Sequence, residues 1–171
     1  GVHMINSVVQ DLVRGEPEGF SHGNLFLYKG DRIMQKKNNY SLEIFNGDVG
    51  TVIDYGEEVE DMSKSDKKTK FLLVKMSDGR RIRYVDSQIE EVMLAWCSTV
   101  HKYQGSQIEN VVFLMTIQHA CMMNRELVYT AFTRASENLH VIGSKFMLRS
   151  ASAISAKIER FTNVANLIKY K

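Results

Sequence analysis

Apolar residues at Ile5, Val8, Val9, Leu12 and Val13 recur at helical spacing, and Gly15-Glu-Pro-Glu-Gly19 then breaks the pattern. This predicts a short amphipathic helix followed by a loop. From Asp31 to about Val85 the character changes to short β-rich runs at Ile33, Val49 to Ile53, Phe71 to Met76 and Ile82 to Val85. Turn signals at Asn46-Gly47-Asp48 and Ser77-Asp78-Gly79 separate them. Asp78-Gly79 suits a type I′ hairpin turn, in which both central residues need positive φ. The stretch from Asp54 to Lys70 is acidic first and basic afterwards, and reads as a solvated loop.

After Gln88 the pattern becomes α/β. Val92 to Trp96, Val111 to Met115 and Leu139 to Ile142 are nearly continuous apolar runs, as expected of strands buried on both faces. Between the last two, Arg125 to Ala135 predicts a helix that buries Leu127, Val128, Ala131 and Phe132. A second helix is expected over Ala151 to Tyr170, with Ile154, Ile158, Phe161, Val164, Ala165 and Ile168 in one stripe.

A chain of 171 residues, 44% hydrophobic and 25% charged, is one ordinary globular unit with room for a small subdomain. Its net charge of +2 gives no global field that would by itself announce a nucleic-acid partner, so any basic surface must be local. No apolar run approaches the roughly 20 residues of a spanning helix, so no membrane partner is expected and the cytoplasm is the expected compartment. Two cysteines, Cys97 and Cys121, make no disulfide framework and agree with a reducing compartment. Gly1 to Met4 has the character of a cloning scar. Native sequence is therefore expected from about Ile5, in a domain excised from a longer parent.

Two segments carry chemistry. Ser98 to Gln107 follows a predicted strand and gathers polar side chains. Thr99, His101 and Lys102 can donate to phosphate oxygens, and Gly105 permits close backbone approach to a ligand. The plainer alternative is a capped, solvated turn. In Tyr129 to Ala135, Arg134 places a permanent planar cation near a helix end, where it could meet a transferred phosphoryl group or simply favour the helix dipole.

Together and in order, Thr-Val-His-Lys-Tyr-Gln-Gly-Ser at 99–106, Val111 to Leu114, and Leu-Val-Tyr-Thr-Ala-Phe-Thr-Arg-Ala at 127–135 resemble motifs V and VI of superfamily 1 helicases. Gly30 to Gln35 and Phe45 to Gly50 are similar to the segment preceding motif V in the RecD-like and Pif1-like branch. Gln118-His119 to Met122-Met123 favours RecD-like over Pif1-like.

The resemblance implies an α/β fold: the second RecA-like helicase domain, a parallel sheet with flanking helices, over 5–45 and 93–171, with its first strand missing. Inserted in it, over 46–92 or from about residue 30, would be a small SH3-like β-barrel. The implied function is the C-terminal part of an ATP-dependent DNA helicase of 5′–3′ polarity. Arg134 would be the motif VI arginine finger, and Gly105, Gln107 and Arg134 would bind nucleotide. Gln107 stands where many relatives carry a glutamate; its amide oxygen still accepts a hydrogen bond but carries no charge. Thr99, His101 and Lys102 would touch the backbone of single-stranded DNA. ATP and Mg²⁺ are the implied cofactors, the N-terminal RecA-like domain of the same parent and helicase–nuclease complex subunits the implied partners.

No Gly-x-x-x-x-Gly-Lys-[Ser/Thr] occurs in the chain and no Walker B acidic pair follows an apolar strand, so the isolated chain is expected to be inactive as an ATPase. Two other readings compete. Cys97, His101, His119 and Cys121 are four potential zinc ligands, but neither pair has a familiar finger spacing, and no metal site is expected. The alternative function is a non-catalytic module, derived from a helicase, that binds nucleic acid or protein.

Overall fold

In a computed structural model, residues 1–15, 18–59, 68–104 and 107–155 are described. They form two compact units, Gly1–Ser106 and Gln107–Lys171. The first begins with helix α1 (Val2–Val13), followed by a hairpin of β1 (Phe20–His22) and β2 (Leu25–Leu27). Its main body is a five-stranded antiparallel sheet of β3 (Arg32–Gln35), β4 (Val49–Val59), β5 (Lys68–Met76), β6 (Arg81–Val85) and β7 (Val92–Leu94). The spatial order is β6-β5-β4-β3-β7. Ile33, Val52, Leu72, Val74, Tyr84 and Ile89 bury their side chains in its core. Each buried aliphatic contributes roughly 1.5–3 kcal/mol, which is why so short a set of strands coheres.

Two glycines set the geometry of β4 and the turn before it. In the turn Phe45–Asp48 the Asp48 amide donates to the Phe45 carbonyl, and Gly47 takes φ 96° at the third position. That position of a type II turn requires positive φ. Gly50 is buried in β4, where a β-carbon would lie 2.5 Å from Val74 Cγ1.

The structure changes three of the sequence expectations for this unit. At Ser77-Asp78-Gly79 only Gly79 has positive φ, at 90°. The Gly79 amide donates to the Met76 carbonyl and Asp78 Oδ1 accepts from the Arg80 amide. The connection is therefore a three-residue loop with glycine at the left-handed position, not a type I′ turn. Next, most of the expected loop from Asp54 to Lys70 is strand at its two ends, because Tyr55, Glu57 and Glu58 of β4 pair with Leu72, Lys70 and Thr69 of β5. The acidic-then-basic order is that of cross-strand ion pairs: Glu57 meets Lys68 and Lys70 across the ribbon. Residues 60–67 of that expected loop lie outside the described residues. Third, Val92–Leu94 pairs antiparallel with β3 and so belongs to this sheet, not to a parallel one buried on both faces.

The second unit is a βαβ element. Strand β8 (Ile108–Leu114) and strand β9 (Ala135–Ile142) pair in parallel, with helix α2 (Arg125–Phe132) between them in sequence. Phe113 is buried and meets the Phe132 ring edge-on at 6.0 Å, which fixes α2 to one face of the pair. The other face carries Val112, Leu114 and Ile142 exposed among the described residues, so only half of the expected two-sided burial is present. Asn124 caps α2 by accepting from the Leu127 amide at 2.8 Å. Helix α3 (Lys145–Ala153) starts six residues before the expected terminal helix; Ala156 to Tyr170 of that expectation lies outside the described residues.

Candidate functional site

The polar segment after β7 folds as a 3-10 turn over Val100–Tyr103, with the Lys102 amide donating to Thr99 and the Gln104 amide to His101. Three residues per turn stack Val100 above Tyr103, and both are half-buried. Thr99, His101, Lys102 and Gln104 are exposed. The Tyr103 hydroxyl donates to the Ala95 carbonyl at 3.1 Å, and burial pushes its pKa above the ordinary tyrosine value. The three predicted strand-contacting residues, Thr99, His101 and Lys102, are thus exposed together on one short turn. Gly105 lies outside the described residues. Because β7 is antiparallel to its neighbour, this turn does not stand at the carboxyl end of a parallel sheet, where open α/β folds place their ligands.

The approach to the turn is braced by residues that the sequence pattern does not single out. Trp96 Nε1 donates to Asp31 Oδ1 at 2.9 Å. Asp31 is buried, and its other oxygen accepts from Gln10 Nε2 at 2.5 Å and from the Tyr28 amide at 2.8 Å. One turn away on α1, Asn6 pairs with the Cys97 peptide in both directions. Its Oδ1 accepts from the Cys97 amide and its Nδ2 donates to the Cys97 carbonyl, each at 2.8 Å. Helix α1 therefore buries Asn6 and Gln10 while Val8 and Leu12 are exposed, the reverse of what its apolar stripe predicts. A spacing of four between two amides was the available signal. Burial also pushes the Cys97 thiol above its ordinary pKa.

In the second unit, Gln107 immediately precedes β8 and Arg134 immediately precedes β9. The strands are parallel with Ile108 opposite Ala135, and the Ile108 amide donates to the Arg134 carbonyl at 2.8 Å. The backbones of Gln107 and Arg134 thus come together at one end of the strand pair. The Arg134 side chain lies at the C-terminal end of α2. Its Nε donates to the Thr130 carbonyl at 3.1 Å and its Nη2 to Thr133 Oγ1 at 3.2 Å. The two threonines of the Tyr-Thr-Ala-Phe-Thr-Arg-Ala segment thus hold the guanidinium, at the helix end where a cation is favoured. Among the described residues no three His, Cys, Asp or Glu side chains gather to hold a metal. His119 Nδ1 is 3.1 Å from Thr116 Oγ1.

Two family models match this chain. Residues 5–75 match the ATP-dependent RecD-like DNA helicase SH3 domain and residues 94–142 the UvrD-like helicase C-terminal domain. The chain is 30% identical over 126 residues to the RecBCD enzyme subunit RecD of Mycobacterium tuberculosis, a match over 74% of this chain and 20% of that protein. It is 32% identical over 124 residues to the ATP-dependent RecD2 DNA helicase of Deinococcus radiodurans, over 72% of this chain and 16% of that one. The chain therefore spans a fifth or less of the length of these relatives. In fold it resembles the Pif1 helicase from Bacteroides, solved in complex with ADP-AlF3 and ssDNA. The TM-score is 0.57 and the identity 17%, over 99% of this chain and 42% of that one.

Proposed function

The chain falls in the RecD/Pif1-like branch of superfamily 1 helicases, and we propose that it supplies the strand grip and the arginine finger of an ATP-dependent DNA helicase with 5′–3′ polarity. The observation that carries this reading is the turn Val100–Tyr103, which folds its apolar side chains inward and leaves Thr99, His101 and Lys102 exposed as donors. Donors of this kind hold the phosphate backbone of single-stranded DNA without reading its bases.

Arg134 fits the γ-phosphate of ATP chemically, as a planar fork that is always charged and already oriented by Thr130 and Thr133. Its role is to neutralise charge as the phosphoryl group transfers, with Gln107 and Gly105 as the further nucleotide-binding residues. ATP supplies the bond whose hydrolysis drives movement. The cradle for its phosphates and the ligands for Mg²⁺ belong to an N-terminal RecA-like domain of the same protein, so this chain alone is inactive. The assembled protein acts in the cytoplasm, and the RecD relatives favour a place among helicase–nuclease subunits.

The test is fluorescence anisotropy of a labelled dT15 strand with the 171-residue chain, at salt from 50 to 200 mM, beside an ATPase assay. Binding is expected to be weak, to fall steeply with salt and to be similar for dA15. The double variant Thr99→Ala, Lys102→Ala should weaken both oligonucleotides equally, with ATP turnover at background throughout. A base preference that persists at high salt, or turnover abolished by Arg134→Ala, overturns the reading.

A further inference from the structure

The turn Val100–Tyr103 is held at two points, at Cys97 just before it by Asn6 and at Lys102 within it by Gly47. Before the turn, Asn6 holds the Cys97 peptide by both its amide and its carbonyl, and the same Nδ2 also donates to the Val2 carbonyl at 3.1 Å. The side-chain amide thus serves Cys97 as a neighbouring strand would, and each of its polar atoms is paired although Asn6 is only 4% exposed. Within the turn, the Lys102 carbonyl rests on Gly47. A β-carbon on Gly47 would lie 3.1 Å from that oxygen, and Gly47 has φ 96°, so two independent constraints keep the position glycine. Neither Asn6 nor Gly47 carries a charge.

We infer that Asn6 and Gly47 are positioning residues that set the placement of Thr99, His101 and Lys102 for phosphate contact, an inference resting on the proposed strand-gripping role of that turn. Helix α1 explains itself on this basis: its amide face points inward because it holds the turn, and its apolar residues Val8 and Leu12 are left outside. The residues that touch DNA are held by residues that do not.

The experiment compares the 171-residue chain with its Asn6→Ala, Gly47→Ala and Lys102→Ala variants. Amide hydrogen exchange reports the turn, and dT15 anisotropy across salt reports the grip. In Asn6→Ala the Cys97 amide loses its acceptor, so its exchange should quicken about tenfold, the equivalent of one hydrogen bond. Amides of β4 and β5 such as Val52 and Val74 should keep their protection. Affinity for dT15 should fall about three- to tenfold, and the salt slope should shrink by about 0.7 for each phosphate that the turn no longer holds. A neutral substitution remote from phosphate cannot alter that slope by removing charge, so a purely structural role would leave it unmoved. Gly47→Ala should shrink the slope in the same direction, with the Cys97 amide still protected.

If Asn6→Ala and Gly47→Ala loosen the turn yet leave affinity and slope at the parent values while Lys102→Ala still weakens binding, the positioning role is overturned and the strand-gripping reading stands. If Lys102→Ala has no effect either, the reading itself fails and the inference falls with it. Should one variant not fold, the other carries the test. Loss of folding in both overturns the inference, because such residues hold the fold and not the turn.

Discussion

Asp31→Asn is the substitution whose cost follows most directly from the geometry. The buried carboxylate accepts three hydrogen bonds and has two oxygens to do it with: Oδ2 takes Gln10 Nε2 and the Tyr28 amide, and Oδ1 takes Trp96 Nε1. An asparagine has the same shape but must turn an N–H₂ toward one of these groups. Facing Oδ2's partners it would oppose two donors, so the less costly arrangement sets it against the Trp96 indole N–H. Gln10 has little freedom to flip in response, because its Nε2 also donates to the Phe26 carbonyl at 2.9 Å. One charge-assisted bond is then lost and a half-buried donor is left unpaired, at about 1–3 kcal/mol, and two further bonds weaken as the acceptor becomes neutral. The sum is about 2–4 kcal/mol, a large part of the roughly 5–15 kcal/mol that holds an ordinary domain together. Trp96 is the sole tryptophan of the chain, so urea unfolding followed by its fluorescence reads the network directly. The midpoint should fall by about 1–2 M with the slope unchanged. A loss below about 0.5 kcal/mol, or a gain, would mean that relief from burying a charge outweighs the three bonds, and the reasoning would be refuted.

Three further outcomes follow from the same unit. Burial pushes the Glu91 carboxyl up, but hydrogen bonds from Asn39, Lys37 and Gln35 outweigh it and hold the pKa below the ordinary glutamate value. Its stabilising effect should therefore be full above the ordinary glutamate range and disappear as pH falls through the lower folded value, and urea midpoints should lose that acid dependence in Glu91→Gln. Gly50→Ala places a β-carbon 2.5 Å from Val74 Cγ1 and 2.9 Å from the Lys75 carbonyl, and should cost about 1–3 kcal/mol or more. Gly79→Ala has φ 90° but open space, and should cost only about 1 kcal/mol in the same unfolding assay; equal losses would contradict the packing argument.

Local pattern carried the sheet and helix α2 well. Val52, Leu72 and Val74 are buried while Ile53, Leu73 and Lys75 beside them are not, because one face of the sheet is covered, and in the sequence the strands stand out as β-rich runs between turn signals. It carried the turns less well. Asp78-Gly79 meets a type I′ turn and a three-residue loop equally in composition, and the choice depends on register: Lys75 pairs with Arg81 and the Met76 amide donates to the Arg80 carbonyl, which leaves Ser77, Asp78 and Gly79 to close the loop. The charged stretch from Asp54 to Lys70 reads as solvated because its side chains are solvated, yet its backbone continues the ladder, with Glu57 opposite Lys70. Polarity reports where side chains go, not whether the backbone pairs. The apolar run Val92 to Trp96 misleads for a related reason. A short strand against β3 and a strand of a parallel sheet have the same composition, and only the partner distinguishes them.

The candidate site divides along the same line. Thr99, His101, Lys102 and Arg134 are proposed from local sequence because they are donors suited to phosphate, and the order of their segments makes the resemblance specific; of the four, the first three are exposed and Arg134 is half-buried. Asn6, Gln10 and Asp31 are not legible, since what they do depends on partners far along the chain: Asn6 and Cys97 are 91 residues apart. A helix with one apolar stripe is ordinarily assumed to bury that stripe. Here Asn6 finds the Cys97 backbone just before the turn and Gln10 finds the Phe26 carbonyl and the Asp31 carboxylate, and a fully paired buried amide costs little while an unpaired one costs much. Once Asn6 can satisfy all its polar atoms at Cys97, the orientation of α1 is decided by two amides against three aliphatic residues, Val8, Leu12 and Val13, that are left exposed. What a sequence shows readily is therefore the set of groups whose chemistry suits a phosphate, and what it conceals is the set of long-range partners, such as Asn6 with Cys97, that fix the backbone beside them.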